Sequence, residues 1–217
     1  NSDITCIFPF SSMLAYHRSK NAEGTIAVTR VEEPSKYGVV VSDDDGRVLN
    51  FFEKPSIFIS NKINAGIYIL NPSVLERIKL QPTSIEKEVF PSIASDKSLY
   101  SFNLEGFWMD IGQPKDYLMG SKMYLAHMEH HFPEKLGYTS THPFTSYEHG
   151  LIHPSAVIGK NCHIGKDVVI GENVVIEDGV CLTNCVILSE TRIKSYCYID
   201  KSLIAWRCTI GKWVKII

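Results

Sequence analysis

From residue 156 onward the chain repeats itself every six residues, and no other feature restricts its fold so strongly. Aliphatic side chains recur at Ile158, Ile164, Ile170, Ile176 and Leu182; the phase slips to Ile187, Ile193 and Ile199, then again to Ile204, Ile210 and Ile216. Both slips are intervals of five residues. Two positions ahead of each aliphatic residue stands Ala156, Cys162, Val168, Val174, Val180, Cys185, Thr191, Cys197, Ser202, Cys208 or Val214, a column of small or β-branched side chains. Glycine follows the aliphatic at Gly159, Gly165, Gly171 and Gly211. Such a hexad marks a parallel β-helix: six residues make one short strand and a corner, and stacked coils bury the aliphatic column. Three hexads complete a triangular coil. Antiparallel strands of a sandwich would not hold a six-residue phase through so many repeats. The chain stops at "GKWVKII" still in phase. Because an open last coil leaves backbone groups unpaired, this end is expected to be truncated or capped by another chain.

The same column accounts for the cysteines. The chain has six, with no C-x-x-C pair, and Cys162, Cys185, Cys197 and Cys208 occupy small-residue positions of the repeat. Packing explains them better than disulfides or zinc, which suits a reducing compartment.

Residues 1–127 follow another pattern. "GTIAVTRV", "YGVVVSDDDGRVLNFFEKP" and "NAGIYILN" are β-branched, aromatic and alternating, with a hairpin turn at "DDDG". Helical spacing appears in "PFSSMLAYHRSK", "PSVLERIKL", "SIEKEVFPSIAS" and "PKDYLMGSKMYLAHMEHH". Alternating strands and helices predict an α/β domain over 1–127. Residues 128–150 carry prolines, polar residues and four histidines without a period; they read as a linker, with its histidines solvated, ahead of the β-helix at 151–217.

Charge and hydropathy exclude some functions. Lys and Arg total 22, Asp and Glu 24, and no long run has one sign, so neither a nucleic-acid footprint nor a polybasic membrane patch is present. The apolar stretches are too short to span a bilayer, and "NSDITCIFPF" has no signal-peptide pattern. A soluble, non-secreted, cytoplasmic protein is expected.

Four stretches place polar groups at the ends of apolar strands, where open α/β sheets form their clefts: "NSD", "KYGV", "FFEKP" with "NAG", and "MDIG". Singly, each has a plain structural reading. An Asp after Ser caps a helix, "EKP" is a charged turn, "NAG" is a tight bend, and Asp110 in "FWMDIGQPKDY" can be a surface residue at a strand end.

In order and combination they say more. "VEEPSKYGVVV", "FFEKP", "SNKINAGIYIL", "LQPTSIEKEVFP" and "GFWMDIGQPKDYL" resemble the sugar-phosphate nucleotidyltransferases, and most closely the beta-type mannose-1-phosphate guanylyltransferases. The resemblance covers essentially the whole chain. It implies a Rossmann-like nucleotidyltransferase domain, here represented by its C-terminal part, followed by a left-handed β-helix of hexapeptide repeats. It also implies roles. Asp3 and Asp110 match the two aspartates that bind a divalent cation and serve catalysis. Glu53 matches a residue bonded to sugar hydroxyls, Lys54 one that contacts the sugar phosphate, and Gly38, Asn64 and Gly66 residues that line the hexose. Two adjacent carboxylates repel without a cation between them, and hard oxygen ligands suit Mg²⁺. A lysine beside a phosphate dianion and glycines that admit a sugar ring are physically apt.

The implied reaction joins GTP and mannose 1-phosphate to give GDP-mannose and pyrophosphate, by positioning and electrostatics rather than a protein nucleophile. One departure stands out: nothing here resembles the family's glycine-rich G-G-x-G-T-R loop, whose amides cradle nucleotide phosphates. The chain is therefore expected to be a fragment, inactive alone. Two other classes remain: a catalytically silent regulatory or scaffold subunit, and a hexapeptide-repeat acyltransferase using His153 or His163, for which the sequence names no partner. Trp206 and Trp213 fall outside the inner column, where they either cover the chain's own surface or contact a second copy or a related subunit.

Overall fold

The hexads stack as the repeat requires. Every neighbouring pair of strands from Ser146 to Ile216 is parallel, and the inward aliphatics align in columns: Ile158, Ile176, Ile193 and Ile210 on one side; Ile164, Leu182, Ile199 and Ile216 on the second. Ile152, Ile170, Ile187 and Ile204 form the third. Tyr147 stands below Ile164, so the stack begins before the first full hexad. The result is a parallel β-solenoid whose core cluster runs from Ile158 to Ile204.

The two phase slips now have a place. From Ile158 onward each corner is turned by a residue with positive φ: Asn161, Asp167, Asn173, Gly179, Asn184, Glu190, Tyr196, Lys201, Arg207 and Trp213. That residue sits three positions after the inner aliphatic everywhere except at Asn184 and Lys201, where it sits two after Leu182 and Ile199. Each slip thus shortens a corner and leaves the strands in phase. Asn and Gly tolerate this left-handed backbone; most other side chains are strained in it.

All six cysteines are free thiols. Cys162, Cys185 and Cys197 are buried in the column of small residues, and burial pushes the Cys185 thiol up to about 12. They are packing groups.

The structure is a computed structural model and describes residues 1–136, 146–148 and 150–217; the middle of the stretch read as a linker, with His142 and His149, lies outside the described residues. Two compact units result, Asn1–Trp108 and Met109–Ile217. The second contains the solenoid and a long helix, Pro114–His131, which starts with proline at its first position. Leu125 and Met128 of this helix pack with Leu136, Leu151 and Val169, and Lys122 Nζ lies 3.3 Å from Asp167 Oδ2. The helix spans the whole stretch read as helical, so residues 128–131, also counted in the linker, belong to it.

The first unit is a sheet with helices. β1 (Ile4–Cys6) leads into α1 (Phe10–Ser19), and then come β2 (Gly24–Arg30), β3 (Gly38–Ser42), β4 (Val48–Glu53), β5 (Lys62–Leu70), α2 (Phe90–Ser95) and β6 (Leu99–Asn103). The sheet order is β4-β3-β5-β2-β6, with β2 and β6 parallel and the other pairs antiparallel. The "DDDG" turn closes β3 on β4: Asp43 Oδ1 accepts the Arg47 N–H at 2.8 Å, and Gly46 takes a positive φ. Ile26, Val28, Val40, Phe90, Ile93 and Leu99 are core. His17, on the inner face of α1, is buried and satisfied, 2.8 Å from Thr25 Oγ1 and 3.1 Å from Asn71 Oδ1.

Two expected helices take other forms. "PSVLERIKL" becomes a 3₁₀ segment, Pro72–Arg77, that ends where Arg77 is gripped by Glu23 and Asp96 and the chain turns extended. "SIEKEVFPSIAS" begins as a π-helix, Ile85–Val89, before α2. Pro91 explains this: it has no N–H for an α-helical bond and its ring crowds the carbonyl four residues back, so the preceding turn widens.

Candidate active site

The hairpin β3–β4 and strand β5 bring five of the sequence-selected residues into the first unit. Gly38 is paired across the hairpin with Glu53. A Cβ on Gly38 would lie 2.6 Å from Phe51 Cζ and 3.2 Å from Glu53 Oε2, so this glycine makes room for an aromatic ring and a carboxylate. Glu53 ends β4 with its side chain largely buried, and its Oε1 lies 3.5 Å from Lys54 Nζ. Lys54 has φ +46 directly before Pro55. A bulky residue in the left-handed region, further restricted by the following proline, is strained backbone of the kind that clusters at functional sites. That turn throws the ammonium outward: the Lys54 side chain is 64% exposed.

On β5, Asn64 is buried and holds three partners. Its Oδ1 accepts the Gly66 N–H at 2.9 Å, and its Nδ2 donates to Tyr68 Oη at 2.8 Å and to Glu86 Oε1 at 3.3 Å. Both amide hydrogens are therefore used within the protein. Gly66 has φ +79, and a Cβ there would meet the Asn1 side chain at 2.9 Å, so only glycine fits. Beside this bend Ile4 and Cys6 of β1 pack with Ala65 and Ile67. Asp3, just ahead of β1, is exposed.

Glu86 was not singled out by sequence reasoning. It lies on the π-helix, and its carboxyl is raised above the usual range, first by burial and then by the nearby Glu53 charge, against a smaller opposing pull from Lys54. Flanked by Lys87 and Glu88 in a helical pattern, it reads in sequence as a solvated helix face; the π-helix is the signal that only structure supplies.

Asp110 closes the strand Trp108–Asp110 and belongs to the second unit, whereas Asp3 belongs to the first. The apolar residues before it anchor the chain locally. Trp108 Nε1 donates to the Ala65 carbonyl at 2.9 Å, and its ring meets Tyr37 edge-on at 5.5 Å. The chain is thereby fixed two residues before the aspartate. After it, Asp110 Oδ1 accepts the Gly112 N–H at 3.0 Å, which turns the chain toward the helix at Pro114. The carboxylate is half-buried and oriented by its own turn.

The histidines considered for acyl transfer have short partners. His163 Nδ1 lies 2.7 Å from Ser146 Oγ and its Nε2 lies 3.5 Å from Glu148, and His153 Nδ1 lies 2.8 Å from Ser155 Oγ. These are exposed side chains on the solenoid's first coils.

Comparison with known proteins matches both parts. Residues 1–127 match the nucleotidyl transferase family, and residues 147–217 match the GMPPB C-terminal domain. A Schizosaccharomyces pombe protein named mannose-1-phosphate guanyltransferase is 55% identical over all of this chain, which covers 59% of that protein. A Drosophila pseudoobscura pseudoobscura protein named mannose-1-phosphate guanylyltransferase catalytic subunit beta is 56% identical, with 57% of its length covered. The chain thus spans well under two thirds of the curated relatives it matches. Among solved structures, a Bacillus anthracis protein described as a glucose-1-phosphate thymidylyltransferase in complex with a sucrose aligns with TM-score 0.50 at 18% identity. It covers 54% of this chain and 50% of its own, and supports the fold. The chain belongs to the nucleotidyl transferase family and carries a C-terminal domain of the GMPPB type.

Proposed function

We propose that the protein containing these residues transfers a guanylyl group from GTP to mannose 1-phosphate, forming GDP-mannose and releasing pyrophosphate. The observation that carries this reading is identity above one half, along the whole chain, to proteins named for that activity. On this reading residues 1–127 are the C-terminal part of the catalytic domain and the solenoid follows as an assembly element.

The sugar-phosphate oxygen attacks the α-phosphorus of GTP, a P–O bond to that phosphorus forms, and pyrophosphate leaves with the bonding electrons. Lys54, held outward by its left-handed backbone, meets the sugar phosphate as a compact charge. Glu53 accepts from hexose hydroxyls; Gly38 shapes the hexose side by admitting the Glu53 carboxylate and the Phe51 ring, and Gly66 by the left-handed bend beside Asn64. Asp3 and Asp110 would hold Mg²⁺. Their chemistry fits: both are carboxylates, one exposed and one with only Oδ1 used by its turn, and Mg²⁺ takes one or two carboxylates with water and phosphate oxygens. Bound there, the ion supplies positive charge against the phosphates. No residue of this chain need form a covalent bond.

Because residues 1–217 contain no G-G-x-G-T-R loop, the test uses the full-length protein. Incubated with GTP, mannose 1-phosphate and Mg²⁺, it should yield GDP-mannose and pyrophosphate in equal amounts. Failure of product with mannose 1-phosphate, but product with another hexose 1-phosphate or another nucleotide, would replace the substrate assignment. Binding of the sugar nucleotide without turnover would favour the silent-subunit reading.

A further inference from the structure

We propose that Glu86 is a sugar-recognition residue, the second carboxylate of a two-carboxylate clamp on the hexose, and that Asn64 is the side chain that orients it. The inference rests on the sugar-phosphate reading above and adds to it a residue and a division of labour.

The first observation is how Asn64 spends its hydrogen bonds. An amide NH₂ has two hydrogens, and Asn64 gives one to Tyr68 Oη and the other to Glu86 Oε1. It has no donor left for a ligand. A buried side chain so committed positions its neighbour, and the neighbour here is a carboxylate with spare capacity. Among the described residues Glu86 makes this single hydrogen bond, although an ionised carboxylate offers about four acceptor sites.

The second is placement. Glu86 stands on a π-helix, a distortion that is rare elsewhere and frequent at functional sites. Glu53 and Lys54 are near enough for their charges to act on it. Strand β4, which ends in Glu53, packs against the π-helix that carries Glu86. Left alone the acids repel. A polyol relieves this without a metal, because each hydroxyl donates to one carboxylate, and adjacent hydroxyls can satisfy both.

The third is an energetic signature. The groups acting on Glu86 are Glu53, which raises its pKa, and Lys54, Asn64 and Lys87, which lower it; burial raises it most. A carboxyl raised on folding binds its proton more tightly in the native state, so stability falls as pH rises through the window between the ordinary value and the raised one. At neutral pH an ionised Glu86 therefore costs the fold stability.

The test is Glu86→Gln in the full-length protein. Asn64 Nδ2 keeps the glutamine carbonyl, so the NH₂ replaces the free carboxylate oxygen and an acceptor becomes a donor. Loss of a charge-assisted hydrogen bond predicts a KM for mannose 1-phosphate raised roughly ten- to hundredfold, with the KM for GTP unchanged. The same variant should melt higher than wild type at pH 7.5, with the gain vanishing at pH 4. Direct binding of α-hexose 1-phosphates by calorimetry separates this idea from the substrate assignment: if wild type prefers another hexose 1-phosphate, Glu86→Gln should weaken that one. Unchanged affinity for whichever sugar phosphate wild type binds, equal losses for sugar and nucleotide, a lower melting temperature at pH 7.5, or no sugar-phosphate binding by wild type would each overturn the proposal.

Discussion

The solenoid and the sheet unit solve the same problem, burying apolar surface, in opposite ways. In the solenoid each inward aliphatic meets its own kind on the coils above and below, as Ile164 meets Leu182 and Leu182 meets Ile199. Irregularity is confined to corners. In the sheet unit the core is assembled from distant segments, and three irregular points, Lys54 with φ +46, the bend at Gly66 and the π-helix at Glu86, lie around one group of polar residues, while Asn21 and Lys97, after α1 and α2, take positive φ in ordinary turns. Regularity serves stability in one unit; in the other, three departures from it stand where ligand chemistry is proposed.

The sharpest way to break this contrast is to damage each unit and see which property fails. Asp110→Asn in the full-length protein keeps the Oδ1 that accepts the Gly112 N–H and removes a ligand charge. Turnover should fall about a thousandfold or more, roughly 4 kcal/mol of barrier, at an unchanged melting temperature. Steady-state kinetics beside a thermal melt check both halves. Retained turnover would remove Asp110 from the metal site.

Leu182→Ala should do the opposite. The side chain is fully buried in the middle column of the solenoid, so its truncation should cost about 3 kcal/mol of stability while the folded fraction keeps its kcat/KM. Denaturant titration followed by assay of the folded protein decides it. A drop in specific activity without unfolding would mean that the solenoid takes part in turnover.

Lys54→Ala is smaller. A lysine contact to a phosphate dianion is worth roughly 1.5 to 3 kcal/mol, and a side chain 64% exposed belongs at the lower end of that range. KM for the sugar phosphate should rise about tenfold while KM for GTP holds. Equal shifts for both substrates would make Lys54 a structural turn residue.

What the sequence made legible follows the same division. The repeat displayed the solenoid's columns, the small-residue positions of its cysteines and the two shortened intervals, because a period of six is visible wherever identical environments recur. The sheet strands and the "DDDG" turn were legible from alternation and turn chemistry. The long helix was legible to His131 from its spacing, but the packing of its last turns, Met128 against Leu151 and Val169, was not. The π-helix was hidden for a similar reason: Pro91 announces a break, but not that the turn before it will widen. Of the site, the individual motifs pointed to residues, while the commitment of both Asn64 hydrogens to Tyr68 and Glu86 is a fact of three dimensions only.

The smallest expected effect concerns a place where the solenoid breaks its own rule. Corners with positive φ favour Asn and Gly, yet Tyr196 and Trp213 occupy two of them, with their rings stacked at 4.4 Å and Trp213 73% exposed. Below them Gly179 leaves space that a Cβ would take from the Tyr196 ring, at 2.5 Å. Replacing Trp213 by asparagine removes a stacking contact of about 0.5 to 1.5 kcal/mol and relieves left-handed strain of similar size, so stability should change by less than about 1 kcal/mol. If this ladder, with Trp206 nearby in sequence and 63% exposed, serves contact with a second copy or a related subunit, the near-neutral variant should still shift the mass of the full-length protein in light scattering. An unchanged mass with an unchanged melt would place these aromatic rings in the chain's own surface and return the solenoid to a purely internal role.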